Sequence, residues 1–370
     1  MYLMAKDIPV LKIDKGRCRV LEKELLPFSL RKDRVALEDF YGMWISNRAM
    51  ELSRTNGKMI LNSLRVSQTN DFRICMACHG LSLSDMYWLR EEEEELTWDE
   101  VNLFQNDISK GMASTALVGD VLHEHGKIHT PELTTQGQAA KAWVRRDGNL
   151  YLYKIGKKEL NLLHKKVGFV FQDADSQIIA ANVRAEISFG PMNLGLKRSE
   201  VILDWDERVV KCRLIASQEY SMVNFEDFQM YCQYEGKNVY EEVLRLDRRH
   251  YLEMQTADYI LNNIDRHGAN WGFFMDNATG RLTGLYPLLD HDQAFSDVEG
   301  MLSQTTEERF DLETAALLAE TELHSELEAV LRLDCPEGIG GKRWNQVKER
   351  TRRLRERLAS AYKGQYASAL

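Results

Sequence analysis

With 370 residues, 44% apolar and 28% charged composition and a formal net charge of -9, the chain has the make-up of an ordinary soluble globular protein, long enough for two or three domains. No window approaches the roughly 18 uninterrupted apolar residues of a membrane span, and the acidic balance argues against general nucleic-acid affinity. The opening residues Met1-Tyr2-Leu3-Met4-Ala5-Lys6-Asp7 offer neither a basic n-region nor an apolar h-region, so the expectation is a cytoplasmic protein with no membrane partner.

Residues 1 to about 125 read as a mixed helical and strand region. Ala36 to Leu52, with Leu37, Phe40, Trp44, Ile45 and Met50 at helical spacing, predicts an amphipathic helix. The six cysteines, Cys18, Cys75, Cys78, Cys212, Cys232 and Cys335, are too scattered for a disulfide framework. Cys75-Met76-Ala77-Cys78-His79 fits the spacing of c-type haem attachment and offers three zinc donors, but no close Cys or His pair completes a tetrahedron. The expectation there is two semi-buried thiols at the end of an apolar strand. Glu91 to Glu95 reads as a solvated turn, and Thr97-Trp98-Asp99-Glu100 as a capping box entering a helix.

The composition then changes. Pro131-Glu132-Leu133-Thr134-Thr135-Gln136-Gly137-Gln138 is a loop, and Lys141 to Val144 and Leu150 to Ile155 are strands about the turn Arg146-Asp147-Gly148-Asn149. Alternation puts Leu150, Leu152 and Lys154 on one face, with Tyr151 and Tyr153 on the other. A lysine at a strand end is usually a snorkelling surface residue. Here it follows a Thr/Gly loop and a hairpin, the order in which kinases present a phosphate-covering loop and then a phosphate-pairing Lys.

Val209 to Ile215 predicts a strand, Ser217 to Asn224 a hinge-like loop, and Asn238 to Ile264 one long helix. That helix delivers Asn263-Ile264-Asp265-Arg266-His267-Gly268-Ala269-Asn270. An Asp with an Asn five positions later on a short loop sets a carboxylate to accept a hydroxyl proton and an amide oxygen to face Mg2+. Gly272 to Met275 and Leu282 to Leu289 predict a hairpin across Asn277-Ala278-Thr279-Gly280, whose exit, Pro287-Leu288-Leu289-Asp290, supplies the second metal carboxylate. From about Glu307 the pattern is helical. Lys342 to Arg357, with Trp344, Val347, Leu354 and Leu358 at helical spacing, predicts an amphipathic closing helix with a solvated basic face.

Taken in order, the segments 131–137, Tyr151-Leu152-Tyr153-Lys154, 263–270 and 287–290 resemble the HipA-like serine/threonine kinases of bacteria. The resemblance spans most of residues 20–160 and 205–330. It implies an α+β, bilobal, protein-kinase-like fold with a small β-rich lobe, a larger mostly α lobe and an N-terminal α/β extension. The implied regions are 1–125, the small lobe 126–225 and the large lobe 226–370. By the same likeness Asp265 is the catalytic base, and Asn270 and Asp290 hold Mg2+. Lys154 contacts the ATP phosphates, and Thr134, Thr135 and Gly137 belong to the phosphate-covering loop. Lys154 is then expected to look into the cleft within reach of Asp290, beside Leu150 and Leu152. The implied partners are a protein substrate and an antitoxin-like regulator. The Asp-Arg-His-x-x-Asn spacing also occurs in phosphoinositide kinases, so it fixes phosphoryl transfer better than it fixes the acceptor.

Between the strand Lys and residue 201 the chain departs from that pattern. Val167-Gly168-Phe169-Val170-Phe171-Gln172-Asp173-Ala174-Asp175-Ser176-Gln177, continuing through Ile187 to Leu196, resembles the Q-loop region of ABC-transporter ATPases of the cobalt and vitamin-uptake type. No G-x-x-x-x-G-K-[ST] loop occurs in the sequence. The segment is therefore expected to bind no nucleotide of its own. Val167, Phe169 and Phe171 are expected to pack as a strand on the Lys154 sheet, with 180–189 as a short helix or loop. It replaces the helix whose Glu would pair with Lys154, leaving Glu159 and Glu186 as candidates. The alternatives to an active kinase are a catalytically inactive binding module of the same fold, a lipid kinase and an ABC-type ATPase.

Overall fold

Short apolar runs separated by tight turns build the first sheet. In the computed structural model, which describes residues 1–14, 16–66, 70–120, 129–155, 201–204, 209–263, 266–288, 327–335 and 340–367, β1 (Tyr2–Ala5), β2 (Ile8–Asp14) and β3 (Arg17–Val20) form an antiparallel meander. A fourth strand, β4 (Tyr87–Arg90), adds to β1, giving the order β3-β2-β1-β4. Neighbouring residues Leu3, Met4 and Ala5 are all buried, so β1 has apolar packing on both faces.

The helix expected over 36–52 is present as the continuous turns Leu37–Asp39, Phe40–Ile45 and Ser46–Arg48, the middle one in π geometry. Phe40, Trp44 and Ile45 face the core as their spacing requires. Helices α1 (Gly57–Ser63) and α2 (Asp71–Met76) follow. The cysteine pair corrects one expectation, since Cys75 and Cys78 sit at the end of helix α2 rather than of a strand. Both thiols are buried and free. Burial pushes Cys78 up to about 12 and Cys75 higher still, while His79 Nδ1 lies 3.0 Å from the Leu89 carbonyl. These are packing thiols, and among the described residues no group of His, Cys, Asp and Glu is placed to hold a metal.

Glu91 to Glu95 is a turn, as expected, with Glu92 paired to Lys12 at 2.6 Å. The single-turn helix α3 (Trp98–Val101) begins where Glu100 accepts the Thr97 backbone N–H at 2.8 Å. Helix α4 (Lys110–Val118) is capped by Ser109, which accepts from the Met112 N–H at 3.0 Å, and stops at Gly119 with φ 85.

The second sheet contains the predicted hairpin, β5 (Ala140–Arg146) and β6 (Asn149–Ile155). Asp147 (φ 50) and Gly148 (φ 78) make the two-residue turn with both central residues left-handed. β7 (Val201–Asp204) and β8 (Val209–Arg213) complete the antiparallel order β5-β6-β8-β7. The side with Ala140, Tyr153 and Ile155 packs with Leu117 of α4. Except for Val201, the ABC-like segment 167–201, with Gln172 and Glu186, lies outside the described residues, as does Glu159.

The third sheet, β11-β10-β9, joins β9 (Tyr220–Asn224), β10 (Gly272–Asp276) and β11 (Leu282–Leu285). Tyr220–Asn224 was expected as loop, and the structure corrects this. Its polar residues are consumed by the fold: the buried Ser221 hydroxyl donates to Asn277 at 2.6 Å, and Asn224 caps the next helix. α5 (Phe225–Tyr234) and α6 (Val239–Leu261) follow, and α7 (Gly341–Ala367) lays Trp344, Val347 and Leu354 into the core, in accord with the predicted closing helix. One apolar core runs from Leu3 to Leu354. Arg31 ties its N-terminal part to the β10–β11 turn, donating to the carbonyls of Leu26 and Gly280. The architecture is mixed α/β, and no helix among the described residues is long and apolar enough to cross a membrane.

Candidate functional site

The loop carrying the Asp/Asn pair is set by the helix before it. α6 was expected to run unbroken to Ile264, but it is two helices meeting at Asp247, whose φ of -157 and ψ of 72 are non-helical. The Asp247 carboxylate lies 2.8 Å from His250 Nδ1 and accepts the Leu285 N–H of β11 at 2.9 Å. One side chain therefore opens the second half of α6 and ties it to the strand leading toward Asp290. That half is buried continuously from Tyr251 to Asp258 and ends at Leu261, where Asn262 turns left-handed with φ 51.

From there the backbone folds back over Asp258. The Asn263 N–H donates to the Asp258 carbonyl at 2.9 Å, and the Asn263 side-chain amide to its carboxylate at 2.9 Å. Arg266, fully buried, grips the same carboxylate through Nε at 2.9 Å and Nη2 at 3.1 Å, and sends Nη1 to the Asn270 carbonyl at 3.3 Å. A bidentate guanidinium–carboxylate pair of this kind fixes orientation as well as energy. Asn263, Arg266 and Asn270 are thereby anchored to one helical residue. His267 accepts the Ala269 N–H at 3.3 Å and opens the 3-10 turn Gly268–Asn270. At Gly268 a Cβ would stand 2.6 Å from Glu226 Cγ, so a larger residue there would have to displace that side chain.

Asn270 is buried and sits one residue before Trp271, which stacks on Phe225 at 4.2 Å. The Tyr286 N–H donates to the Gly272 carbonyl at 3.1 Å, so the chain through Pro287 and Leu288 runs back past the residues that follow Asn270. Asp265 and Asp290 lie outside the described residues. Near this loop, burial first and then Glu226 and Asp85 push Asp227 up to about 7.

On the second sheet, register places Lys141 opposite Lys154 and Trp143 opposite Leu152, all on the face away from α4. The 131–138 loop is bonded to that face. Lys141 Nζ donates to the Gln136 carbonyl at 2.5 Å, and Trp143 Nε1 to the Thr135 hydroxyl at 3.1 Å. Thr134, Thr135, Gly137 and Lys154 are thus associated with one face of one sheet. Lys154 is half-buried, as its position on a partly covered face requires, whereas Tyr153 is buried on the α4 side. The two threonine hydroxyls turn inward: Thr134 donates to Leu81 O at 2.6 Å, and Thr135 to Pro131 O at 2.7 Å. What the loop offers outward is backbone, since among the described residues the N–H groups of Gln136, Gly137 and Gln138 have no acceptor. Successive unpaired amides beside lysines suit an anion.

Three participants were missed by the sequence reading. Asp258 holds Asn263 and Arg266, Lys141 doubles the positive charge beside Lys154, and Arg54 holds the Gly137 loop. Lys141 had a signal, being two strand positions from the loop and cross-strand from Lys154. Asp258 and Arg54 had none, because their roles depend on contacts that spacing does not encode.

No protein-family profile matches the chain. Among solved structures, it is similar to the Helicobacter pylori proinflammatory kinase CtkA, with 13% identity over 62% of this chain and 95% of that one at a TM-score of 0.37. It is also similar to Shewanella oneidensis MR-1 HipA in complex with HipB and operator DNA, with 12% identity over 96% of both chains at a TM-score of 0.47. No residue role is carried across at that depth of likeness. In sequence, 48 residues are 48% identical to an ABC transporter ATP-binding protein of Methanosarcina mazei, covering 13% of this chain and 15% of that protein. A further 48-residue match, 50% identical, is to the energy-coupling factor transporter ATP-binding protein EcfA of Methanocaldococcus jannaschii, covering 13% and 17%. The chain spans less than a quarter of the length of these curated relatives. Matches so short, to this class, fit the ABC-like wording of residues 167–201.

Proposed function

We propose that the chain is a HipA-like kinase that transfers the γ-phosphoryl group of ATP to a protein serine or threonine hydroxyl. The observation that carries this reading is the anchoring of Asn263, Arg266 and Asn270 to Asp258, which holds both sides of Asp265 and the Asn five positions on. Asp265 takes the proton of the attacking hydroxyl as the new O–P bond forms and the bond from the β–γ bridging oxygen to γ-phosphorus breaks, releasing ADP. Asn270 and Asp290 provide an amide and a carboxylate oxygen, the hard donors that suit Mg2+. That ion, when bound, neutralises charge on the phosphates. Lys154, with Lys141 beside it, and the amides of the 134–137 loop receive the phosphates. A cytoplasmic location and an antitoxin-like regulator accompany the reading on the strength of the sequence resemblance.

The test is a turnover assay with γ-labelled ATP, Mg2+ and a protein acceptor, followed by phosphoamino-acid analysis. Label on serine or threonine, lost with Asp265→Asn, is the expected result. ATP binding with no transfer to any acceptor, including the chain itself, would replace this reading with the inactive binding module.

A further inference from the structure

We propose that Arg54, in the N-terminal region, is the positioning residue for the Gly137 loop, so that this region sets the affinity of the second sheet for nucleotide phosphate. The inference rests on the kinase reading for its ligand, and on the contacts below for its mechanics.

Arg54 is buried, and the oxygens it reaches are backbone carbonyls: Nη1 donates to Glu132 at 2.7 Å and Thr135 at 3.3 Å, and Nη2 donates to Lys141. These carbonyls lie at the start, middle and far side of the loop, so one rigid planar fork spans it. Lys141 belongs to β5, which is an edge strand among the described residues. Arg54 takes the outward Lys141 carbonyl, and the Glu132 carboxylate takes the outward Trp143 N–H at 2.9 Å. Together they do for this edge what another strand would do.

Neighbours of Arg54 add to the clasp. The Met50 N–H donates to Leu133 O at 2.8 Å and the Thr55 N–H to Gln138 O at 2.9 Å. Gln136 returns the contact, its amide donating to Asn47 O at 2.9 Å and Ala49 O at 2.8 Å. With its carbonyls occupied in this way, the loop leaves the N–H groups of 136–138 without an acceptor among the described residues, beside Lys154. A fork that fixes where those amides lie acts on ground-state phosphate binding, and therefore on KM for ATP more than on kcat.

The experiment compares wild type with Arg54→Lys, which keeps the charge but loses the fork, and with Gln136→Ala, an exposed position whose loss leaves the core intact. Titration with Mg-ATP, steady-state kinetics, thermal melting and hydrogen exchange of the 134–139 amides are measured on the full chain. Hydrogen bonds from charged groups are strong enough that about a tenfold weaker ATP affinity is expected for Arg54→Lys. A smaller loss is expected for Gln136→Ala, with kcat near wild type and faster loop exchange in both. Unchanged ATP affinity and unchanged exchange in both variants overturn the proposal. If the wild-type chain binds no ATP, the kinase reading fails, and loop exchange alone decides the clasp: at least about tenfold faster in Arg54→Lys supports it, and equal rates refute it.

Discussion

Arg266 and Arg54 are both buried beside a loop of the candidate site, but Arg266 meets a carboxylate eight residues back, on the helix that leads into its own loop, whereas Arg54 meets carbonyls up to 87 residues away. The first loop is held by a local ion pair that forms with α6. The second is held by a distant segment, through dipoles alone, and so depends on the whole N-terminal region being folded against it. A buried guanidinium without a carboxylate contact is poorly compensated for lost water. Burial accordingly draws Arg54 down to about 10, against a smaller opposing pull from Glu132. It remains protonated at neutral pH, and its contribution is shape rather than charge balance. The difference assigns rigidity to the loop that would hold the base, and conditional order to the loop that would receive phosphate.

The largest expected effect is on the rigid side. Asp265→Asn is nearly isosteric but cannot accept the hydroxyl proton, so phosphoryl transfer should fall by about 100- to 10,000-fold while ATP binding and melting temperature hold. A variant keeping more than about half of the wild-type rate removes Asp265 from the mechanism. The metal follows. Asp290→Ala should weaken Mg-ATP binding sharply, and Mg2+ should bind tightly only when ATP is present, because Asn270 and Asp290 alone would supply too few oxygens to hold it. Calorimetry showing tight Mg2+ binding to the nucleotide-free chain would count against the assignment.

Stability separates the two arginines more directly. Asp258→Ala leaves Arg266 buried without its carboxylate and should cost about 3 to 5 kcal/mol, read from urea unfolding. Arg54→Met strands carbonyls rather than a charge and should cost less, about 1 to 3 kcal/mol. Asp258→Ala combined with Arg266→Met should regain a substantial part of the single-variant loss. Equal costs for Asp258→Ala and Arg54→Met would erase the distinction between the loops.

Acid–base behaviour offers a smaller readout. Asp227 has its folded pKa raised to about 7 from 3.8, chiefly by burial and then by Glu226 and Asp85. A group raised on folding stabilises the folded chain while protonated, and that contribution is lost as pH rises through the folded value. Unfolding midpoints should therefore decline between about pH 4 and pH 7 by an amount that Asp227→Asn abolishes. If the variant and the wild type show parallel pH profiles, Asp227 is not the titrating group.

Much of the scaffold was legible because it follows local rules. Asp147-Gly148 dictates the β5–β6 turn, Asn238 starts α6, and Trp344, Val347 and Leu354 face inward at helical spacing. β9 was not, since Ser221 and Asn224 look like loop residues until Asn277 and the α5 N-terminus use their polar groups. The break at Asp247 escaped for a similar reason: a carboxylate inside a helical pattern looks like solvated surface, and its bond to Leu285 is 38 residues away. At the candidate site the motif letters were readable, but their holders were not. Asp258 and Arg54 act through groups that come together only in the fold, and periodicity registers burial without saying what a buried charge touches.

The smallest effect is expected within the ABC-like segment, and it tests whether the phosphate side has only the support described above. Gln172 belongs to wording that, in an ABC ATPase, works beside a P-loop held in the same chain, and no such loop occurs in this sequence. If the phosphates are received by the 134–137 loop, Lys141 and Lys154, then Gln172 has no phosphate-held partner to act with. Gln172→Ala should leave ATP affinity and turnover within about twofold, as substitutions away from a site usually do. A tenfold loss would mean that the segment between β6 and β7 reaches the nucleotide. The phosphate side would then owe its order to that segment as well as to Arg54, and the contrast between a locally held loop and one held only by the N-terminal region would have to be redrawn.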